Sequence, residues 1–371
     1  MQDVLLKAIQ ESDVSVAQAE LEKKMDQGMD AWGIHLSLFE TVQWVMNPPF
    51  INPHLPKMHA VCREFQPLLE KEDVLPLVRL EVSEYARRPK MERFARPGPL
   101  LPAASFDAIE AAIRNKDARE AALLMESFLS LEGTDELSRR LLLLGGGSDE
   151  LKASLGHSIS CTAFLLLEMV ARADFDHWST LAVLADYFCK LKLGPHAGSY
   201  IPGAPAAEET IQNHMARAVS GSGIVNLHHQ ITIYALERVR HLFTTEEYNG
   251  LVDAWVVFMG DKEEEKPALN FTKNGALESY TQFYQLFATL ETEPVVSALL
   301  PMLDSPKGRR NMGRFLVKGV CDLYQGKYNP HQLTGLGSTM WVIHRFHEQQ
   351  SIASGALFQF VDYFFAALKD K

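Results

Sequence analysis

Cysteine is scarce in this chain, and its few occurrences lie far apart. Cys62, Cys161, Cys189 and Cys321 form no Cys-x-x-Cys pair, which excludes a disulfide framework or zinc ribbon and suits free thiols in a reducing cytoplasm. Long apolar runs are missing as well. The greasiest stretch, 161–171, is short and carries Glu168, so no bilayer-spanning segment is expected. The first residues, Met1-Gln2-Asp3-Val4-Leu5-Leu6-Lys7, lack a basic stretch followed by an apolar one, so no signal peptide is expected and the protein is placed in the cytoplasm. Positive charge is in deficit: 36 Lys and Arg against 47 Asp and Glu leave a net charge of −11. Nucleic-acid and anionic-membrane partners are thereby disfavoured, because both are held by clustered Lys and Arg.

Several catalytic signatures are also absent. No Gly-x-Gly-x-x-Gly follows a strand pattern, and Gly145-Gly146-Gly147 follows a helical one, so no dinucleotide fingerprint is present. There is no P-loop, no His-Glu-x-x-His, no Gly-x-Ser-x-Gly elbow and no pair of Glu-x-x-His motifs for a di-iron bundle. A mononuclear metal held by histidines from separate helices stays open, but spacing along the chain gives it no support and no metal is assigned.

What is present is helical periodicity in a globular composition of 47% apolar and 22% charged residues. Phe106, Ile109 and Ile113 recur at helical spacing, as do Ala121, Leu124, Phe128 and Leu131. Ser15-x-x-Gln18 and Thr244-x-x-Glu247 fit capping boxes, and Pro48-Pro49, Gly145-Gly146-Gly147 and Gly194-Pro195 mark stops. Helices are expected over 14–28, 30–46, 55–70, 72–88, 105–115, 117–131, 134–144, 149–173, 177–192, 207–219, 223–243, 245–260, 274–289, 294–303, 309–325, 337–349 and 352–368. With no alternating β-branched runs, the fold class is all-α: a multi-helix array of stacked antiparallel helices without significant sheet. The prolines over 96–102 are the best candidate boundary. They separate an N-terminal part, 1–95, from a main part, 105–371, read as one continuous domain.

The candidate site residues are histidines on apolar helices. His157 shares a face with Cys161 and Glu168; a buried imidazole there either finds a structural hydrogen bond or serves as general acid, base or metal ligand. His228 and Thr232 face together one turn apart, while His229 points about 100° away. Glu237 and His241 read as an ordinary surface pair. His54 follows two prolines at a helix start, where free backbone N–H groups can meet a ligand, or where it simply caps the turn. Asn329-Pro330-His331 and the following Gly335-Leu336-Gly337 read as a flexible turn opening a helix that carries Trp341 and His344.

Four segments taken in order resemble the questin oxidase-like family of fungal aromatic polyketide pathways and bacterial relatives. They are 50–89 with His54, 155–163 with His157, 184–188 with Tyr187 and Phe188, and 227–238 with His228 and Thr232. The resemblance covers about half the chain; 1–30 and 262–371 lie outside it, and Glu237 departs from it. It implies an oxidoreductase performing Baeyer–Villiger-type ring cleavage of an aromatic polyketide-like substrate. Reduced nicotinamide (NADPH) is the implied electron donor, without a recognisable flavin-binding sequence. His157, His228 and His54 are then the candidate catalytic groups, with Thr232, Tyr187, Phe188 and Cys161 against the aromatic substrate. The alternatives are a non-catalytic α-helical interaction scaffold and a histidine-ligated, metal-dependent oxygenase. Three histidines within about 10 Å around a concave pocket would favour an enzyme; dispersed ones, the scaffold.

Overall fold

The computed structural model describes residues 3–172, 176–195, 197–198, 203–260, 277–326 and 329–369. Among them are nineteen α-helices, two 3₁₀ turns and no strand. Two isolated bridges, Val45 with Lys90 and Asn47 with Phe50, are the extent of β pairing there. The all-α array is therefore as the periodicity predicts.

Local chemistry explains most boundaries. Aspartates Asp3, Asp13, Asp30 and Asp117 accept backbone N–H bonds at four helix starts, satisfying donors that no helical carbonyl can reach. Thr244 and Glu247 form the expected reciprocal box. The box at Ser15 and Gln18 does not form. Asp13 caps that helix, Ser15 bonds to Asp13, and Gln18 reaches Ser83, because a carboxylate two residues earlier is the stronger acceptor.

Three expectations need correction. The helix placed over 149–173 is two helices, Ser148–Ser154 and His157–Val170, bent by 90°. The bend is made by Leu155 at φ 52° and Gly156 at φ 73°, left-handed conformations that cost a leucine about 1–2 kcal/mol and glycine little. Gly335 and Gly337 do not form a turn. They lie inside His331–Arg345, where their missing side chains let Leu227 and Val61 pack within 2.8 and 2.5 Å of where a Cβ would stand. Glu237 makes no surface pair with His241 but accepts from Tyr248 and pairs with Arg345. An additional helix, Val4–Gln10, precedes the first expected one, and the expected 274–289 helix falls partly outside the described residues, which show Tyr280–Phe287.

Among the described residues the helices enclose one large apolar core with members from Leu5 to Phe365, beside a smaller cluster of Leu227, Ile231 and Tyr363. Among the described residues one helix, Gln350–Lys369, is by itself long and apolar enough to cross a membrane, and 61% of its apolar window is buried within the protein. Packing of this core brings the starts of His54–Arg63, His157–Val170 and His331–Arg345 together beside the middle of Gly223–Val239.

Candidate metal centre and adjoining cavity

Four histidine side chains meet where those helices converge. The Nε2 of His157 lies 2.8 Å from that of His54, 3.1 Å from that of His331 and 3.2 Å from that of His228; His228 and His331 are 3.0 Å apart by the same atoms. All four rings are buried.

The outer nitrogens fix the tautomers. Nδ1 of His54 donates to the Asn52 carbonyl at 3.2 Å, that of His157 to Ser154 at 2.6 Å and that of His228 to Ile224 at 2.7 Å. His331 donates to Asn329 Oδ1 at 2.7 Å. The same Oδ1 accepts from the His331 backbone N–H, which identifies it as oxygen. Carbonyl oxygens only accept, so each Nδ1 carries the proton and each Nε2 presents a bare lone pair. Four acceptors facing one another cannot hydrogen-bond among themselves. Those of His54, His157 and His331, all within 4.8 Å of one another, can share a cation, with His228 against two of them.

Electrostatics keeps these rings neutral. Burial pushes His54, His157 and His331 well below the ordinary histidine range, and His228 down to about 3. Lys57 adds to the effect on all four. Its ammonium nitrogen is fully buried with no hydrogen-bond partner, and burial lowers its own pKa. Three of the four histidines open their helices, so three helix N-termini add further positive potential.

The bend before His157 depends on a close approach. A Cβ on Gly156 would stand 1.9 Å from Thr232 Oγ1, and that hydroxyl in turn donates to the His228 carbonyl at 2.7 Å. Gly156→Ala is therefore expected to destabilise the protein by about 2–5 kcal/mol, from the left-handed backbone and the overlap together. Urea denaturation checks this; an unchanged midpoint would show that the bend tolerates a side chain.

The four rings line a cavity of about 800 Å³, within the usual range for small-molecule sites. Its walls are largely apolar, with Phe50, Ile51, Leu155, Ile224 and Ala367, and Lys190 and Lys192 also line it. Tyr363 lines it too, and its buried hydroxyl has no partner.

The candidate residues distribute as follows. His54, His157 and His228 come together around a concave cavity. Thr232 is a buried brace behind them. Cys161 is buried one turn along from His157, its thiol pushed up to about 11 by burial. Phe188 is core, and Tyr187 lines a different cleft. Glu168 is bound by Arg63 and Arg172 at 2.9 and 2.7 Å. His229 is buried against the edge of Phe258, on another side of its helix from His228.

His331, Lys57 and Tyr363 are the residues that sequence reasoning missed as site members. For His331 a signal exists: Asn52-Pro53-His54 recurs as Asn329-Pro330-His331. In both copies proline starts the helix and asparagine supplies the oxygen that orients the ring.

A second buried group, His35, His59 and Glu81, has a different character. Both imidazole Nδ1 atoms contact the Glu81 carboxylate, at 2.8 and 3.1 Å, and Tyr85 O–H donates to it at 2.8 Å. The two imidazoles are stacked with centroids 4.1 Å apart and planes 22° off parallel. The ligand atoms of the three residues lie within 4.8 Å of one another, as in the first cluster, but here both Nδ1 atoms are engaged by the Glu81 carboxylate in a hydrogen-bonded clasp.

No family model, curated protein or solved structure matches the chain.

Proposed function

We propose that the protein is a metal-dependent oxygenase in which His54, His157 and His331, with His228 beside the latter two, hold one iron(II) ion next to a cavity for an apolar aromatic substrate. The observation that carries this reading is a cluster of four Nε2 lone pairs, four of whose six separations are 2.8–3.2 Å, with every Nδ1 proton committed to an oxygen; those of His54, His157 and His331 all lie within 4.8 Å of one another. With metal–nitrogen bonds of about 2.1 Å, ligands at right angles stand about 3.0 Å apart and tetrahedral ones about 3.4 Å. The four separations of 2.8–3.2 Å lie nearer the first value, so these residues would suit an open site better than a closed tetrahedral zinc one.

When bound, the ion would supply a redox-active Lewis acid able to bring substrate and dioxygen together. The chain's own residues do the rest. Asn52, Ser154, Ile224 and Asn329 hold the rings in the ligating tautomer, as acceptors behind metal-binding histidines do. Neutral imidazole ligands would leave the ion's charge uncompensated, and Lys57 and the three helix N-termini would add to it, so the site favours a substrate that presents an anionic oxygen, such as a phenolate. The apolar wall excludes water. The resemblance to questin oxidase-like proteins supports oxidative ring cleavage as the reaction class, and it alone supports reduced nicotinamide as electron donor.

The test is metal analysis of purified protein joined to oxygen uptake with a hydroxylated polycyclic aromatic, with and without NADPH. About one iron per chain is expected, with uptake abolished by chelation and restored by iron(II). Zinc at full occupancy without oxygen uptake, or uptake indifferent to chelation, overturns the proposal.

A further inference from the structure

The turn that leads into His54 has its polarity reversed. The Phe50 backbone N–H donates to the Asn47 carbonyl at 3.0 Å and closes it. Asn47, the one polar side chain over 46–51, is buried, and its Oδ1 accepts from the Arg88 guanidinium at 2.8 Å. Met46, Phe50 and Ile51 are the exposed ones, at 37%, 55% and 49%. Turns ordinarily show the opposite arrangement, and large apolar side chains left together in water mark a place where something apolar docks. Neither Phe50 nor Ile51 belongs to the core. Phe50 nevertheless reaches the histidines. Its ring centre lies 5.6 Å from that of His54, with the planes 63° apart, an edge-to-face contact. Both residues line the cavity. An aromatic ring is thus held against the cluster while more than half of its residue stays uncovered.

We propose that Phe50 is the residue on which the aromatic substrate stacks, and that it selects flat, unsaturated rings over saturated ones of similar outline. The inference rests on the histidine cavity being the substrate site, as in the proposed function. A fused aromatic lying on Phe50 removes apolar surface of both partners from water. Stacking adds roughly 2- to 10-fold in affinity beyond that burial. A saturated ring, puckered and without a π face, gains only the burial. The His54 nitrogens are turned elsewhere, to the Asn52 carbonyl and the His157 ring, so a change at Phe50 leaves the cluster's own contacts in place.

Calorimetric titration of the full chain under argon, where no oxygen can be consumed, tests this with 1-naphthol and its saturated counterpart decahydro-1-naphthol. Phe50→Leu is expected to lose about 5-fold in affinity for the aromatic alcohol and to bind the saturated one nearly as wild type does. Phe50→Tyr should keep the wild-type preference. Metal content and melting temperature should be unaltered in both variants. In air, the KM for 1-naphthol in oxygen uptake should rise by the same factor in Phe50→Leu at unchanged kcat. Absence of 1-naphthol binding, an unaltered 1-naphthol affinity in Phe50→Leu, or an equal loss for the two alcohols overturns the proposal. Binding that depends on Phe50 in this way without any oxygen uptake supports the stacking role and overturns the oxygenase reading instead.

Discussion

A His157→Ala variant is expected to fold, to lose its metal and to lose all turnover. His157 is the hub of the cluster, its Nε2 within 3.2 Å of the other three, so its removal takes away the ligand that every other contact shares. Binding to the folded state alone adds about 4 kcal/mol at a metal concentration 1,000 times Kd. For a chain of this size that is about 5 °C in melting temperature. Wild-type protein should therefore melt lower by about that amount in excess chelator, while His157→Ala melts at the same temperature with and without it. Differential scanning calorimetry checks both arms. An equal chelator response in the two proteins would move the metal away from this cluster, and turnover surviving in the variant would remove His157 from the chemistry.

The second large effect belongs to Glu81. Its carboxylate is fully buried and contacted by His35, His59 and Tyr85. Although burial alone would raise its pKa, the two imidazoles beside it hold it down at about 2, against an ordinary 4.5. A carboxyl depressed on folding contributes stability that is complete above its ordinary pKa and is lost as pH falls toward the folded value. The interval here is pH 4.5 down to 2, and a shift of that size corresponds to about 3 kcal/mol. Burial lowers the pKa of His59, so its ring is neutral at pH 7, and Glu81→Gln should cost about 1–3 kcal/mol there by leaving buried hydrogen-bonding groups mismatched. The gap to wild type should narrow as pH drops through that interval. Urea unfolding at a series of pH values measures this. A gap that stays constant from pH 7 to pH 3 would show that ionisation of Glu81 contributes nothing.

The fold was legible because its signal is local. Spacings such as Phe106, Ile109 and Ile113 report one buried helix face, and Phe106–Arg114 buries all three. The break at Leu155 was not legible, since a leucine in the left-handed region has no compositional mark and only the close approach of Thr232 to Gly156 explains it. Three of the four clustered histidines could be singled out as imidazoles on apolar helices. That they touch could not, because the contacts join residues 71 to 174 positions apart. His331 was passed over as part of a loop, although its Asn-Pro-His tripeptide repeats the one at His54. Tyr187 was recognised as an aromatic worth attention, but the direction it faces depends on how its helix packs, which no spacing encodes.

The clustered rings come from positions 54, 157, 228 and 331, successive gaps of 103, 71 and 103 residues. Drawing them together closes three large loops, an entropic cost that grows with loop length and must be met before any one contact gives a return. No fragment of the chain holds more than part of the set. An ion seated there would act as a late clasp on an almost finished molecule, and its uptake would time the arrival of the last helices.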